Sequence, residues 1–305
     1  MIAGRFRQGG VALILVIWVA AIIAVVAASF VIERRTETLV VINSIAIAKA
    51  KSAADAGVHR AIVEAYRNDP SAPEAWKRDG APHDWAFDGA QVRIEMRDEA
   101  AKIDVNTASD ALLRGLLLSI GLQDDEASRL LDAILDWRDA DSLKRPNGAE
   151  ETEYRAAGLS YRPGNAPFQA LEELQLVLGM RPEIYRRLAP LLTVYSRLPG
   201  VNPTVASREV LLAIPGLTSD VVDDYIARRT DALAQGLPPP TLPQAGAYAS
   251  GMSPVMNVRS VARGEDGIVF VREAVALLRP LPRKAVTFLA WRESTAPQPA
   301  PEATH

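Results

Sequence analysis

The 305-residue sequence contains no cysteine and only three histidines. Without cysteine, neither a disulfide framework nor thiolate chemistry is possible. The histidines, His59, His83 and His305, are scattered, and no nucleophile–base arrangement accompanies them, so the sequence does not predict an enzyme. The net charge of −3 also lacks the positive excess that is typical of nucleic-acid-binding domains.

Charge is entirely missing from residues 11–32, VALILVIWVAAIIAVVAASFVI. As a helix this segment would be roughly 33 Å long, which is enough to cross a hydrocarbon core of about 30 Å. Arg5 and Arg7 precede the segment, whereas the charges of residues 33–37 cancel. The positive-inside bias therefore predicts a cytoplasmic N-terminus, with everything after Glu33 outside the cytoplasm.

Three interpretations fit this apolar segment: a secretory signal peptide with a weak cleavage site at residues 27–29, a plain single-span anchor, and a type IV prepilin-like leader. In the third, cleavage between Gly10 and Val11 leaves the apolar segment in place. The next glycine is Gly57 and the first proline is Pro70, so one helix can continue from Val11 to the region of residue 66. Only the third interpretation predicts this continuation. Small residues follow one face of its outer half: Ala46, Ala50, Ala54, Gly57, Ala61 and Ala65.

Strand and helix patterns alternate in the remaining chain. Residues 69–89 are rich in Pro, Gly and Asp and predict a loop, and the period-two alternation at residues 92–96 predicts a strand, repeated briefly at 103–105. Because a lone strand is unstable, its expected partners are the strand patterns near the C-terminus. The helical segments are predicted at 108–122, 124–140, 168–178 and 182–195, and the C-terminal strands at 255–261, 268–278 and 285–291.

Two helical segments share one pattern, in which Val-Asn is followed by a capped helix, a glycine turn and a second helix that ends in arginine. They are residues 105–138, with Asn106-Thr107 as the predicted cap, and residues 201–229. Helix-hairpin-helix units of this kind bind DNA phosphates through Gly-x-Gly turns. Here the turns at Gly121 and Gly216 have one glycine each and are followed by acidic residues that would repel phosphate. We therefore predict no nucleic-acid partner and keep a membrane-anchored DNA-binding protein as the alternative.

An acidic segment follows the first of these units. Asp139, Asp141 and Glu150 occupy the first, third and twelfth positions of a calcium-loop pattern. Leu143 and Lys144 replace the fifth ligand and the required glycine, so the segment is not an EF-hand. A calcium site and a solvated acidic loop both remain open, while Trp137 and Tyr154 are expected in a core or interface. The candidate metal ligands are Asp136, Asp139, Asp141, Glu150, Glu151 and Glu153.

Taken in order, the segments RQGG-VALILVIWVAA, RIEMRDEAAKIDVNTA, ILDWRDADSLKRPNGAEETEY, ELQLVLGM and VNPTVASREVLLAIPGL resemble the type II secretion system minor pseudopilin K family. The resemblance implies an α+β fold, in which a pilin-like long N-terminal helix and a small antiparallel sheet are interrupted by a large all-α, helical-hairpin (SAM-like) insertion. It also implies calcium in this helical domain.

The same resemblance implies a function at the tip of a periplasmic pseudopilus, where the protein helps to initiate assembly and protein export across the outer membrane. Its partners would be the I and J minor pseudopilins, the major pseudopilin and the inner membrane. A prepilin peptidase would cut after Gly10 and methylate the amine of Val11. The fifth mature residue, usually glutamate in pilin-like proteins, is Leu15, a departure that the K family shares. Such a glutamate neutralises the amine of a neighbouring subunit within the apolar bundle.

The sequence thus predicts a single-pass inner-membrane protein with a periplasmic C-terminal part. Its expected segments are a leader (1–10), the long helix (11–67), a loop with the first strands (68–105), the helical insertion (106–235), a flexible, partly polyproline linker (236–251), the C-terminal strands (252–293) and a disordered tail (294–305).

We expect the mature protein to begin at Val11 with a methylated amine, because the prepilin-like interpretation places the cut before the apolar segment. Mass spectrometry of the N-terminal peptide from membrane-extracted protein measures this directly. An intact Met1, or a start near Phe30, would contradict it.

Overall fold

The structure is a computed structural model that describes residues 9–67, 75–279 and 285–294. Most of the predicted leader (residues 1–8), residues 68–74 of the predicted loop and the predicted tail from residue 295 lie outside the described residues.

A single helix, α1 (Gly9–Arg67), opens the described chain and has 59 residues. Its length is about 88 Å at 1.5 Å per residue, so the predicted continuous helix is confirmed. Its segment Ala12–Phe30 has a mean hydropathy of 2.9 and none of it is buried. By length and composition, this is the one helix within the described residues that could cross a membrane.

Two sheets form in the described residues. Their strands are β1 (Asp79–Phe87), β2 (Ala90–Asp98), β3 (Ile103–Asp104), β4 (Leu192–Thr193), β5 (Val255–Arg263), β6 (Val269–Leu278) and β7 (Val286–Ser294). The larger sheet is antiparallel, with the strand order β1-β2-β5-β6-β7, and the smaller is a parallel pair of β3 and β4. Strand β2 pairs with β5 from Gln91↔Arg263 to Asp98↔Met256. The predicted sheet, split by a helical insertion, is therefore present.

Strand β1 corrects the loop that the sequence predicted at residues 69–89. Asp88 and Gly89 have φ of 47° and 78°, which is the conformation of a two-residue hairpin turn. They connect β1 to β2, and Phe87 pairs with Ala90. Pro82 is tolerated because β1 is an edge strand with an irregular register between Asp79 and Pro82.

The C-terminal half of α1 packs on one face of the five-stranded sheet. Ala54 and Ala61 are fully buried there, and the facing side chains include Ile94 and Val258. The helix approaches so closely at Gly57 that a Cβ there would lie 2.2 Å from Oγ of Ser260. The stripe of small residues thus permits helix–sheet contact.

The insertion contains α2 (Asp110–Ser119), α3 (Asp124–Arg138), α4 (Glu151–Ala156), α5 (Pro182–Leu188), α6 (Arg208–Leu212) and α7 (Ser219–Ala234). The repeated sequence pattern corresponds to the hairpins α2–α3 and α6–α7, whose turn glycines have positive φ. Each hairpin ends in a matching contact: the guanidinium of Arg138 donates to the carbonyl of Ala108 (3.1 Å), and that of Arg229 donates to the carbonyl of Ala206 (2.9 Å). The two units therefore share a tertiary contact as well as a sequence pattern.

The predicted cap of α2 is wrong by several residues. Ser109 is the N-cap, and its hydroxyl accepts from the amide of Leu112 at 3.3 Å. Asn106 instead exchanges two hydrogen bonds with the backbone of Phe168, at 2.8 and 3.0 Å. The side chain of Asn106 thus holds the backbone at Phe168, which is far away in sequence. Local sequence pattern does not reveal this contact.

Three other predictions need correction. The helix predicted at 168–178 is a short 3-10 helix, Leu171–Leu176, and the one predicted at 182–195 ends at Leu188 and is followed by β4. The predicted flexible linker at 236–251 contains the 3-10 helix Pro243–Tyr248, in which Ala245 is fully buried. This segment is held because the amide of Val201 donates to the carbonyl of Tyr248 at 2.8 Å and the amide of Ser250 donates to the carbonyl of Val201 at 2.7 Å.

We expect Gly115→Ala to destabilise the protein by about 1 to 3 kcal/mol, although alanine is the better helix former by about 1 kcal/mol. A Cβ at this position of α2 would lie 2.0 Å from the carbonyl oxygen of Ala213 in α6, so the hairpins would have to separate. Urea denaturation measures the change. Gly251→Ala, where a Cβ would meet no atom of the described residues within 4 Å, is the matched control, and equal stability of the two variants would refute the packing argument.

Candidate functional site

The predicted acidic site lies between two helices of the insertion. Helix α3 ends at Arg138, the loop of residues 139–150 follows, and α4 begins at Glu151. Asp136 is in the last turn of α3, where the partial negative charge of the helix C-terminus favours a cation over a carboxylate. The local fold therefore places the carboxylate of Asp136 where it is electrostatically unfavourable.

Asp136 is the deepest group, with 0% of its surface exposed. Both of its carboxylate oxygens lie 3.3 Å from the amide nitrogen of Arg145, and Oδ1 lies 3.7 Å from Nε of the same residue. The loop passes so close that a Cβ on Gly148 would lie 2.0 Å from Oδ2. Only glycine at residue 148 therefore allows the loop to lie against this carboxylate.

Three buried side-chain oxygens around this loop have no hydrogen-bond partner among the residues that the structure describes: Oδ1 of Asp139, Oε1 of Glu150 and Oδ1 of Asn165. Asn165 is held beside the loop because its Nδ2 donates to the carbonyl of Asp141 at 2.7 Å. A buried oxygen without a donor is costly. Carboxylate and amide oxygens are also the ligands that calcium prefers, so these oxygens fit a bound cation.

The other predicted ligands behave differently. Asp141 is exposed, and its Oδ1 accepts from the amide of Leu143 at 2.8 Å. Glu151 forms an ion pair with Arg155 at 2.5 Å, and Glu153 binds Lys144 at 3.0 Å. Glu151 and Glu153 are therefore already neutralised by cations of their own segment.

Burial raises the pKa of Asp136, Asp139 and Glu150 above their ordinary values. Repulsion adds to this effect: Asp139 raises the pKa of Asp136, Asp141 raises that of Asp139, and all three aspartates raise that of Glu150. In contrast, the hydrogen bond from Lys144 lowers the pKa of Glu153. We refer to Asp136, Asp139 and Glu150, whose pKa values are raised by burial and by neighbouring carboxylates, as the coupled carboxylates.

The coupled carboxylates do not form a closed ligand set. In the part of the chain that the structure describes, no three His, Cys, Asp or Glu side chains converge closely enough to hold an ion. Sequence reasoning missed Arg145 and Asn165, because neither an arginine nor a single asparagine marks a metal site by its spacing.

Two aromatic residues lie in the helices on either side of the loop, Trp137 in α3 and Tyr154 in α4. Trp137 stacks on Phe168 with ring centroids 5.9 Å apart, and Tyr154 is fully buried and accepts a hydrogen bond from the amide of Leu178 at 2.9 Å. Both residues lie in the hydrophobic core of the insertion, as predicted. Desolvation accordingly raises the pKa of Tyr154 far above its ordinary value.

The remaining predicted sites lie at the start of α1. Gly10 and Val11 are within the helix, and Leu15 is 63% exposed. The residues of α1 that pack in the core beneath the sheet lie between Ala53 and Ile62, in the C-terminal half of the helix. These positions are thus distant in sequence and in packing from the acidic loop.

Comparisons with known proteins point to one family. The sequence model described as "Type II secretion system (T2SS), protein K" matches residues 93–197. The chain is 28% identical over 244 residues to the type II secretion system protein K of Pseudomonas aeruginosa, an alignment that covers 72% of this chain and 73% of that protein. It is 27% identical over 209 residues to the protein K of Pectobacterium carotovorum, covering 61% and 62%.

The fold also has a solved counterpart. The chain matches a structure of the GspK–GspI–GspJ complex from the enterotoxigenic Escherichia coli type 2 secretion system, with a TM-score of 0.59 and 15% identity. The match covers 83% of this chain and 97% of that chain. At this identity the likeness concerns the fold, and it confirms the predicted α+β architecture with a helical insertion.

We expect the metal-free protein to lose stability as the pH rises above about 4. Groups whose pKa is raised by folding hold more protons in the folded state, so deprotonation opposes folding in this range. Asp139→Asn should flatten the fall and stabilise the protein at pH 7 by roughly 0.5 kcal/mol, the scale of a screened charge contact.

Urea denaturation in a chelator, between pH 4 and 8, measures this effect. Glu151→Gln is the matched control, because that carboxylate pairs with Arg155 and should not show the effect. A stability that increases over this pH range in wild type would refute the argument.

Proposed function

Because the chain resembles protein K of the type II secretion system in sequence and in fold, we propose that it is a minor pseudopilin at the tip of a pseudopilus. The match to residues 93–197 carries the proposal. That segment begins in β2 and runs through both helices of the first hairpin and the acidic loop, and thus includes the point at which the sheet is interrupted. A common membrane anchor could not produce such a match.

The tip position follows from the start of α1. A subunit with glutamate at the fifth mature position neutralises the amine of a neighbour inside the apolar bundle, where an unpaired charge is costly. This chain has Leu15 there, so it is disfavoured in the shaft and suits the leading end. Peptidase cleavage at Gly10–Val11 and methylation of the new amine belong to the same proposal, with the region after α1's apolar segment in the periplasm.

The proposed partners are an I and a J minor pseudopilin, as in the complex named for the fold match. The major pseudopilin would lie below them. The exposed apolar residues of α1 beyond the membrane segment support association with other helices, since large exposed apolar surfaces mark contacts. They include Leu39, Val41, Ile42, Ile45 and Ile47, each at least 50% exposed.

We further propose that the acidic loop binds calcium. Asp136, Asp139 and Glu150 would hold the ion, with the side-chain oxygen of Asn165 as a neutral donor. Calcium would convert repulsion among the carboxylates into attraction and link the end of α3 to the start of α4. The unpartnered oxygens and the raised pKa values support this assignment.

The role in secretion is tested in a strain that lacks its own protein K. We expect the full chain, produced together with the I and J pseudopilins of its own system, to restore export and to co-purify with both. Export with no association, or association with the major pseudopilin alone, would contradict the tip assignment. A cell lacking the J pseudopilin is the control for specific co-purification.

Calcium binding is tested by thermal melting of the full chain in detergent with calcium, magnesium or a chelator. At calcium about 100-fold above the dissociation constant, we expect a gain of about 2.7 kcal/mol, and a much smaller gain with magnesium. Asp139→Asn should abolish the difference and Glu151→Gln should retain it. Three superimposable wild-type curves would contradict calcium binding and favour a solvated acidic loop.

A further inference from the structure

Arg145 places a positive charge inside the acidic loop. Its Nε lies 3.7 Å from Oδ1 of the buried Asp136, and its Nη1 lies 3.3 Å from Oδ2 of Asp110 at the start of α2. The side chain of Asp110 is 55% exposed, whereas that of Asp136 is fully buried. The guanidinium therefore bridges an inner and an outer carboxylate.

The inner contact is loose. Nε of Arg145 is buried and has no hydrogen-bond partner in the described residues. A well-formed pair elsewhere in the insertion, Arg208 with Asp223, is bidentate at 2.6 and 2.9 Å, the geometry of strong arginine–carboxylate pairs. The Arg145 guanidinium thus supplies charge to Asp136 without a good hydrogen bond, and oxygens of Asp139 and Glu150 have no partner among the described residues.

Two other cations near the loop bind other groups. Arg138 donates to the carbonyls of Val105 and Ala108 at the base of the hairpin and lies 3.8 Å from Oδ1 of Asp110, and Lys144 binds Glu153. Attraction to Arg138 opposes the upward pKa shift of Asp139, whereas attraction to Arg145 opposes the shifts of both Asp136 and Asp139. Arg145 is therefore the side chain of the loop that acts on both aspartates.

From this geometry we infer that Arg145 is an internal counter-ion that competes with calcium for the carboxylates. The inference rests on the calcium site proposed above. A guanidinium and a divalent cation repel each other at such distances, so calcium enters when the guanidinium leaves Asp136. Asp110, which it already contacts, retains the displaced guanidinium at the loop surface. The arginine thereby lowers calcium affinity while it stabilises the metal-free loop.

The experiment measures calcium affinity by chelator competition on the full chain in detergent. Arg145→Gln should bind calcium about tenfold more tightly than wild type, a change of about 1.4 kcal/mol. In chelator the same variant should melt below wild type, and saturating calcium should remove that deficit. Arg145→Lys, which keeps the charge, should restore affinity toward the wild-type value. Arg155→Gln, which breaks the ion pair with Glu151 outside the cluster, is the matched control and should leave the affinity unchanged.

A second variant covers the case in which Arg145→Gln does not fold. Asp110→Asn removes the position that accepts the displaced guanidinium and should weaken calcium binding severalfold, although the residue is not among the proposed ligands. In the Arg145→Gln background, where it folds, Asp110→Asn should have little effect. Unchanged calcium affinity of Asp110→Asn alone, or equal weakening in both backgrounds, would overturn the inference.

The outcomes separate the two proposals. Calcium binding by wild type with unchanged or weaker binding by Arg145→Gln would overturn the competition and leave the calcium site intact. Absence of binding in both proteins would overturn both, since removing a competitor should uncover the site. Binding by the variant alone would support the competition most directly.

Discussion

The antiparallel pairing of β2 with β5 is the contact on which the rest of the architecture depends. These strands are separated in sequence by residues 99–254, and their closure brings the two ends of that long insertion together. Asp98, which is 1% exposed, links the two ends of the insertion: its carboxylate accepts from the amide of Ala100 at 2.8 Å and from that of Ser253 at 3.1 Å. Burial raises the pKa of Asp98, and these hydrogen bonds oppose the rise. The two ends of the insertion are therefore held together where β2 pairs with β5. Helix α1 packs on the sheet that this pairing forms.

The acidic loop has the opposite energetic character. Between β2 and β5 the buried carboxylate of Asp98 accepts from backbone amides, whereas oxygens of Asp139 and Glu150 have no donor among the described residues and Arg145 contacts Asp136 only at 3.7 Å. Groups that oppose stability in this way are typical of sites that bind an ion or ligand. Gly148 permits the arrangement, because any side chain there would collide with Asp136. In this structure the guanidinium of Arg145 supplies the positive charge beside Asp136.

Part of the fold followed from the amino-acid sequence, because it depends on local pattern. The length of the apolar run and the absence of helix breakers determined α1, period-two alternation determined β2 and β5, and the repeated Val-Asn pattern determined both hairpins. Failures occurred where local composition misled. Pro82 and Gly80 made β1 resemble a loop, and the proline-rich segment before β5 looked flexible although Ala245 is buried. In both cases pairing with distant residues outweighed local preference.

For the candidate site, the sequence by itself determined the set of acidic residues. It also excluded an EF-hand, because Leu143 and Lys144 replace the fifth ligand and the required glycine. It could not separate Asp136 and Glu150, which are buried, from Glu151, which is exposed and paired with Arg155. Only the tertiary structure decided that division, since burial and ion pairing depend on groups brought together by folding. The tertiary structure also placed Arg145 between Asp136 and Asp110, two aspartates that lie 26 positions apart in the sequence. The physical reason is that charge is a property of a residue, whereas its compensation is a property of the neighbours that the fold supplies.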